Sequence, residues 1–394
     1  MKRVYLDNNA TTQVAPEVLE AMLPYLSEEY GNPSSMYALA GNSEKAVTHA
    51  REQVADLLGA EPDEILFTSC GTESDNTAFY SALESQPGKK HLVTTRVEHP
   101  AVLNTAQHYE KKGMPVSWIG VDQFGRLDLA EVMEALTPDT ALISVMHANN
   151  ETGTVFPIFE IARMAAERGI QMHTDAVQSV GKIPINLKEE PLTYLALSGH
   201  KLHAPKGVGV LYVRRGTKFS PFILGGHQEH GHRGGTENVP HIVGLGKACE
   251  LAKNQFREEA RVAGMRDRLE KGILDVVSNT LINGDVENRL PGTTSIAFKH
   301  IEGEAILLLM DRVGIMASSG SACTSGSLEP SHVLRAMGVP YTYAHGSIRF
   351  SFSRYNTEED VDYALRELPA IIKRLREISP FSSDDFCMAA CQTC

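Results

Sequence analysis

Three reactive side chains stand out in this sequence: a lysine in Ser198-Gly199-His200-Lys201, an acid at Asp175 and a thiol at Cys323. Lys201 lies between two apolar runs, so its surroundings should be partly dry. Desolvation lowers the pKa of a lysine towards nucleophilic competence. Lys201 can therefore form a Schiff base, although most lysines are solvated surface residues and its position alone fits that role too.

Asp175 follows a strand pattern over residues 169–174. Ligands gather where the strands of a parallel sheet end, and an acid there can pair with a pyridinium nitrogen. A lysine Schiff base together with an acidic pyridinium partner is what proteins usually supply to pyridoxal phosphate. The alternative is that Asp175 caps a helix that follows it.

Residues 64–74 read as a buried strand that turns through Gly71 into the start of a helix. Backbone N–H groups and the helix dipole would attract an anion there, and the Thr72 hydroxyl can add a bond to phosphate. A capping box made by Thr72 or Ser69 explains the same residues. His99 follows another strand pattern, and its imidazole can stack on a flat ring, move a proton or serve only the fold.

Motifs like these recur in order through nearly the whole chain. They occupy residues 5–12, 31–35, 68–76, 98–102, 149–153, 173–178, 198–201, 233–236, 318–325 and 348–351. On these motifs the chain closely resembles the cysteine desulfurases of the NifS and IscS type. These belong to the class-V aminotransferase family, within the aspartate aminotransferase superfamily of pyridoxal phosphate enzymes. Residues 201–207 and 329–333 look more like the nitrogen-fixation NifS branch.

Strand-like runs alternate with helical patterns from residue 65 to residue 212, which predicts a mainly parallel sheet covered by helices. The resemblance implies the fold of type I pyridoxal phosphate enzymes, an α/β fold with a mixed seven-stranded sheet. We expect a large domain over residues 14–257 and a smaller α/β domain from residues 1–13 and 258–380. Residues 381–394 are expected to form a flexible tail. A long charged helix is predicted over residues 250–274.

The resemblance also implies roles around the cofactor, pyridoxal 5'-phosphate. Lys201 would hold it as a Schiff base and act as the proton-transfer base. Asp175 would keep the ring nitrogen protonated, Gln178 would bond the phenolic oxygen, and His99 would stack on the ring. The phosphate would be bound by residues of two loops: Gly71, Thr72, Ser198 and His200.

The substrate, L-cysteine, would be seated through its carboxylate. The resemblance implies Arg349 for this task, since guanidinium offers a two-bonded fork, with help from Asn150 beside the ring and from Asn32. Thr236 would reach the phosphate bound by the neighbouring subunit, which makes a homodimer part of the site.

Cys323 would take the defining role by attacking the sulfur of the substrate, leaving alanine and a persulfide. Small residues from Ser318 to Ser327 predict a mobile loop that carries sulfur to an iron–sulfur scaffold protein, for nitrogenase clusters. A free cysteine can also be inert, as we expect for Cys249 in its apolar run. The alternatives are a housekeeping iron–sulfur desulfurase, a selenocysteine lyase, an aminotransferase without need of Cys323, and a catalytically silent assembly scaffold.

The composition of the chain limits its possible partners and its location. The net charge of -12 disfavours nucleic acid as a partner. The sequence has neither a membrane-length apolar span nor a signal-peptide core, so we expect a cytoplasmic protein without a membrane partner. His227, His230 and His232 lack the frame of a metal site, so no resident metal is expected. Cys387, Cys391 and Cys394 in the tail can relay sulfur, bind metal or belong to a disordered end.

Overall fold

The computed structural model describes residues 2–319 and 329–379, so Cys323 and the three tail cysteines lie outside the described residues. Its strands are β1 Val4–Tyr5, β2 Ile65–Thr68, β3 His91–Thr95, β4 Val116–Ile119, β5 Thr140–Ser144, β6 Gln171–Asp175, β7 Tyr194–Ser198, β8 Gly209–Val213, β9 Thr280–Asn283, β10 Thr293–Phe298, β11 Ile315–Met316, β12 Ser318–Ser319 and β13 Ser347–Ser351.

The helices follow the same chain order. They are α1 Pro16–Met22, α2 Pro24–Ser27, α3 Ala38–Leu58, α4 Gly71–Glu84, α5 Pro100–Lys111, α6 Leu129–Ala135, α7 Ile158–Ala166, α8 Val239–Asn254, α9 Glu258–Val276, α10 Gly303–Arg312, α11 His332–Ala336, α12 Tyr341–Ala344 and α13 Glu358–Ile378. None of the helices in this described part of the chain is both long and apolar enough to cross a membrane.

A seven-stranded sheet forms the centre of the larger part of the molecule. Its order is β2-β8-β7-β6-β5-β3-β4, and only β8 runs against the others within the described sheet. All residues of β3, β5 and β7 are buried, which is typical of parallel strands covered on both faces by helices. The prediction of a mainly parallel, mixed, seven-stranded α/β sheet is therefore confirmed.

A second sheet, ordered β12-β13-β10-β9 and antiparallel throughout, lies in the last third of the chain. The amino terminus joins this part, because β1 pairs with β11 through Val4 and Ile315. Val4 and Leu6 share one hydrophobic core with the buried faces of α9 and α13. This packing is what the proposed domain division expects of residues 1–13, and the domain boundaries themselves stay a prediction.

The strand pattern over residues 169–174 corresponds to β6, Gln171–Asp175, whereas the helix predicted over residues 250–274 is wrong in its start, since α9 begins at Glu258. The helix breaks at residues 255–257, between α8 and α9. The buried side chains of α8, such as Cys249 and Ala252, pack into the first core. Those of α9, such as Met265 and Leu269, pack into the second core. One straight helix could not face both cores, so the chain turns between them.

Candidate active site

The functional side chains meet where the strands of the large sheet end. Asp175 is the last residue of β6, Ser198 is the last of β7, and Gly71 opens α4 three residues after β2. They surround a cavity of about 330 Å³, within the usual range for a small-molecule site. Its lining is Asn9, Ala10, Cys70, Gly71, Thr72, Asp75, His99, Met146, Ala148, Asn150, Asp175, Val177, Gln178, Ser198, His200, Lys201, Ser319 and Arg349.

Asp175 presents a buried carboxylate to this cavity, with only 6% of the residue exposed. Its Oδ1 accepts a hydrogen bond of 2.9 Å from the Val177 backbone N–H, and residues 177–182 continue as turns rather than as a capped helix. Burial raises the pKa of Asp175, while the neighbouring His99 and Lys201 act in the opposite sense. A cation inside the cavity would stabilise the charged carboxylate further.

Lys201 reaches the cavity from a short 3₁₀ turn that follows β7. Its Nζ donates to the backbone carbonyl oxygens of Asn9 and, at 2.8 Å, Ala10. These carbonyls belong to the amino-terminal segment, which is fixed to the same turn by a 2.9 Å bond from Thr12 N to His200 O. The amino-terminal segment, about 190 positions before Lys201 in sequence, therefore directs the amine towards the cavity.

The start of α4 forms a concave wall of backbone and hydroxyl groups. A Cβ on Gly71 would lie 2.8 Å from Val177 Cγ2, and one on Gly209 would lie 2.7 Å from the backbone carbon of Cys70, so both positions require glycine. Ser198 lines the same wall and Thr72 sits in the first turn. The free N–H groups of a helix start favour an anion such as phosphate.

His200 lies beside this wall, with its Nδ1 3.1 Å from Thr11 Oγ1. Burial, with the charges of Lys201 and Lys206, lowers the pKa of His200 to about 4. The imidazole is therefore neutral at pH 7, with one ring nitrogen a donor and the other an acceptor.

His99 precedes α5 and also lines the cavity. Its Nδ1 accepts a 3.1 Å bond from the Ala101 backbone N–H, which leaves the proton of the neutral ring on Nε2. Burial lowers the pKa of His99. The His99 imidazole is therefore neutral and half-buried, and the hydrogen bond from the Ala101 N–H holds its orientation.

Arg349 enters from β13 of the second sheet and is almost fully buried. One guanidinium N–H donates to Asn150 O at 2.9 Å, and another donates to Asp7 Oδ1 at 2.8 Å. Asn150 lies on the segment after β5 and lines the cavity too. A cation and an amide therefore lie together in the cavity lining, where a carboxylate can bind.

Sequence reasoning missed Asp75, a cavity-lining side chain one turn after Gly71 on α4. Its Oδ1 lies 3.3 Å from His173 Nε2, and both atoms are buried without a hydrogen bond within the described residues. Burial, with the charges of Asp175 and Glu98, raises the pKa of Asp75, and burial lowers that of His173 to about 3. Burial therefore disfavours the charged form of both side chains. The spacing of four residues from Gly71 on one helix is the signal that could have found Asp75.

Two predicted site residues lie away from this cavity in the single chain. Asn32 is exposed and its side chain accepts a 3.0 Å bond from Ser34 N. Thr236 is exposed and lines a separate cavity of about 210 Å³ with Arg233 and Glu229. Ser319 lines the main cavity, and Cys323 follows it by four positions, outside the described residues.

The histidine cluster of the sequence has another explanation in the structure. His232 packs against Phe219, with ring centroids 4.9 Å apart, and Glu229 forms an ion pair with Arg51 at 2.6 Å. Across residues 2–319 and 329–379, no three histidine, cysteine, aspartate or glutamate side chains gather as metal ligands. Cys249 lies fully buried in the first core, and burial raises the pKa of its thiol to about 12, so it is the inert thiol that was expected.

Comparison with known proteins places this site in a family. Residues 4–364 match the model of the aminotransferase class-V family, so the chain belongs to that family. It is 58% identical to the cysteine desulfurase NifS of Azotobacter vinelandii over 386 residues, which cover 97% of this chain and 96% of that protein. It is also 59% identical to cysteine desulfurase 2 of Trichormus variabilis over 384 residues, 98% of this chain and 96% of that protein.

Solved structures agree with these relatives. A NifS-like protein superposes with a TM-score of 0.89 at 40% identity, covering 95% of this chain and all of that one. A structure described as SspA in complex with cysteine gives a TM-score of 0.80 at 38% identity, with 90% of this chain and 99% of that chain covered. Within the class-V aminotransferases, the chain is thus one of the cysteine desulfurases.

Pyridoxal phosphate is the cofactor of this family, and the cavity fits it. A buried carboxylate, Asp175, suits a protonated ring nitrogen, and the Lys201 amine suits an aldehyde. The start of α4 offers backbone N–H groups, and Thr72 and Ser198, which carry hydroxyl groups, line the same cavity, a donor set that suits a phosphate. These three features belong to the lining of one cavity.

Glu98 precedes the cavity-lining His99 in sequence and leads to a testable pH dependence. Its Oε1 accepts bonds of 2.9 Å from Thr95 Oγ1 and Met146 N, whereas Oε2 is buried without a partner in the described structure. Burial raises the pKa of Glu98 from 4.5 to about 8. The folded protein therefore binds more protons than the unfolded chain between these values, and stability falls as pH rises through that window.

Glu98→Gln should remove this dependence, because the amide resembles the protonated carboxyl and cannot ionise. In urea unfolding, the variant should gain about 3 kcal/mol relative to the parent between pH 5 and pH 8. Glu134→Gln, at an exposed position, is the matched control and should leave the pH dependence unchanged. Parallel curves for the parent and Glu98→Gln would contradict the assignment of a buried, protonated Glu98.

Proposed function

We propose that the protein converts L-cysteine to L-alanine and delivers the sulfur, as a persulfide on Cys323, to iron–sulfur cluster assembly. The convergence of Lys201, Asp175 and Arg349 on one cavity carries this proposal. The relatives named cysteine desulfurase, and the related structure described with cysteine, point to the same substrate.

Each side chain around the cavity then has a task. When bound, pyridoxal phosphate withdraws electron density from the substrate carbon that carries the amino group. Asp175 balances the charge on the ring nitrogen, and Gln178 donates to the phenolic oxygen. His99 covers one face of the ring. Thr72, Ser198, His200 and the backbone at Gly71 bind the phosphate.

The substrate is oriented by its carboxylate. Arg349 binds that group, and Asp7 and the Asn150 carbonyl hold the guanidinium in place through two bonds of 2.8 and 2.9 Å. Asn150 itself lies beside the ring. Lys201 moves protons at the substrate carbon, since its amine lies among the cavity-lining residues. Asn32 is proposed to contribute from outside the single-chain cavity.

Sulfur leaves the substrate through Cys323. Its thiolate attacks the substrate sulfur, the carbon–sulfur bond breaks with its electron pair on carbon, and a proton completes alanine. The sulfur atom remains as a persulfide. Ser319 lies four positions before Cys323 and lines the cavity. This placement supports the proposal that Cys323 can reach the substrate.

The sulfur acceptor is proposed to be an iron–sulfur scaffold that serves nitrogenase. The motif over residues 201–207 and the identity of 58% to NifS of Azotobacter vinelandii support this choice over a housekeeping acceptor. A homodimer in the cytoplasm is proposed as the working form. The exposed Thr236 supports the dimer, because it lines a cavity of its own, away from the cofactor cavity of the same chain.

The central chemical test compares two variants. Cys323→Ala should keep the visible absorption of bound cofactor and lose alanine formation from L-cysteine by on the order of 100-fold or more, because the sulfur has no nucleophile. Lys201→Ala should lose turnover as well. Alanine and sulfide are measured under reducing conditions, with Cys249→Ala as the control for a buried cysteine. Full activity of Cys323→Ala would contradict the persulfide route.

Mixed dimers test whether Thr236 serves the neighbouring subunit. Thr236→Ala and Lys201→Ala, each alone, should have low activity at limiting cofactor. A dimer with one of each chain contains one complete site if Thr236 acts across the interface, so it should regain about half of the parent activity. The dimers are separated by different affinity tags. No recovery in the mixed dimer would place Thr236 in the site of its own chain.

A further inference from the structure

Lys182 is a half-buried lysine close behind the cavity, with no place in the roles described so far. It follows β6 by seven residues, in the turns that also contain Gln178. Its ammonium Nζ donates to Gln178 Oε1 at 3.3 Å and to Asn9 Oδ1 at 3.4 Å. One cation therefore binds two side-chain amides, and both of these amides line the cavity.

An ammonium group can only donate hydrogen bonds. An amide next to it must therefore turn its oxygen towards the cation and its nitrogen away. The two ends of an amide have nearly the same shape, so steric packing alone cannot choose between the two orientations. Lys182 selects the orientation from the oxygen end of both Gln178 and Asn9, and backbone carbonyl oxygens, which only accept, select it from the nitrogen end.

The other ends of the two amides have matching partners. Gln178 Nε2 donates to the Asn9 backbone oxygen at 2.9 Å, which is the same oxygen that accepts from Lys201. Asn9 Nδ2 donates to Thr293 Oγ1 at 2.9 Å and to Asn150 O at 3.3 Å. All of these bonds agree with the orientation that the ammonium sets.

We propose that Lys182 is a positioning residue that presents the amide N–H of Gln178, rather than its oxygen, to the cofactor. An NH₂ group has two hydrogens, and the bond to Asn9 uses one, so the second is directed to a group in the cavity. This inference rests on the proposed function, in which Gln178 faces the phenolic oxygen of the ring. A flipped amide would set oxygen against oxygen there, a repulsive contact in place of a hydrogen bond.

Other charges surround Lys182 and must be separated from this effect. Burial lowers the pKa of Lys182 to about 8. The carboxylate of Glu259 raises this pKa, whereas the positive charge of Arg349 lowers it further. Burial raises the pKa of Glu259 to about 7, and Arg354 acts on it in the opposite sense. His203 also feels the charge of Lys182. Removal of the lysine therefore changes the stability of its surroundings as well as the orientation of Gln178.

A double-mutant cycle separates the two effects. Lys182→Met removes the donor, Gln178→Ala removes the amide, and the double variant has neither. The readouts on cofactor-loaded protein are the visible absorption of the bound cofactor, the pH at which that absorption changes, and kcat/KM for alanine formation. Lys182→Met should shift the absorption and lower kcat/KM by about tenfold, a loss typical of one misplaced hydrogen bond.

In the Gln178→Ala background, Lys182→Met should have no further effect on the absorption or on kcat/KM, because Lys182 acts through Gln178. Lys182→Arg, which is also only a donor, should restore the parent absorption. Lys188→Met, at an exposed lysine paired with Glu61, is the matched control and should behave like the parent.

Additive losses in the cycle would overturn the inference, since Lys182 would then act independently of Gln178. Unchanged absorption in Lys182→Met would overturn it as well. Both results leave the proposed function intact, because that function fails by a different outcome, namely a parent protein that binds no pyridoxal phosphate or forms no alanine.

Discussion

The arrangement of this site depends on one buried carboxylate. Asp175 ends the central strand β6 with 6% of its surface exposed, close to two further buried acids, Asp75 and Glu98. Burial raises the pKa of all three, so a charged Asp175 needs a cation opposite to it. The protonated ring nitrogen of pyridoxal phosphate is such a cation. The raised pKa values of Asp75 and Glu98 disfavour a charge on either acid and so reduce their repulsion of a charged Asp175.

The amino-terminal segment connects this carboxylate to the rest of the site. Its strand β1 pairs with β11 beside the second hydrophobic core, yet Asn9 and Ala10 supply the carbonyls that hold Lys201. Asp7, in the same segment, holds the guanidinium of Arg349. A few residues therefore fix the distance between the amine, which belongs to the large sheet, and the guanidinium, which belongs to the small one. Neither sheet could set that distance by itself.

Sequence patterns predicted the local parts of this design well. Apolar runs and the glycine at the start of α4 are local signals. The strands, the phosphate-binding residues at the start of α4 and the residues at strand ends could therefore be predicted. Asn9 contacts Gln178, Lys182 and Lys201, all far away in sequence, and no local pattern reports such contacts. Asp75 did have a local signal, its spacing from Gly71, which was overlooked. The break between α8 and α9 was missed because it depends on two separate cores. Cys323 was predicted from its loop and lies outside the described residues.

Replacement of Asp175 by asparagine tests the central claim most directly. Asparagine keeps the shape and can still accept the bond from Val177, but it carries no charge to balance the ring nitrogen. We predict that Asp175→Asn still binds cofactor, and that its alanine formation from L-cysteine falls on the order of 100-fold, the usual effect of removing one electrostatic stabiliser. Alanine formation at the parent rate by cofactor-loaded Asp175→Asn would contradict the account.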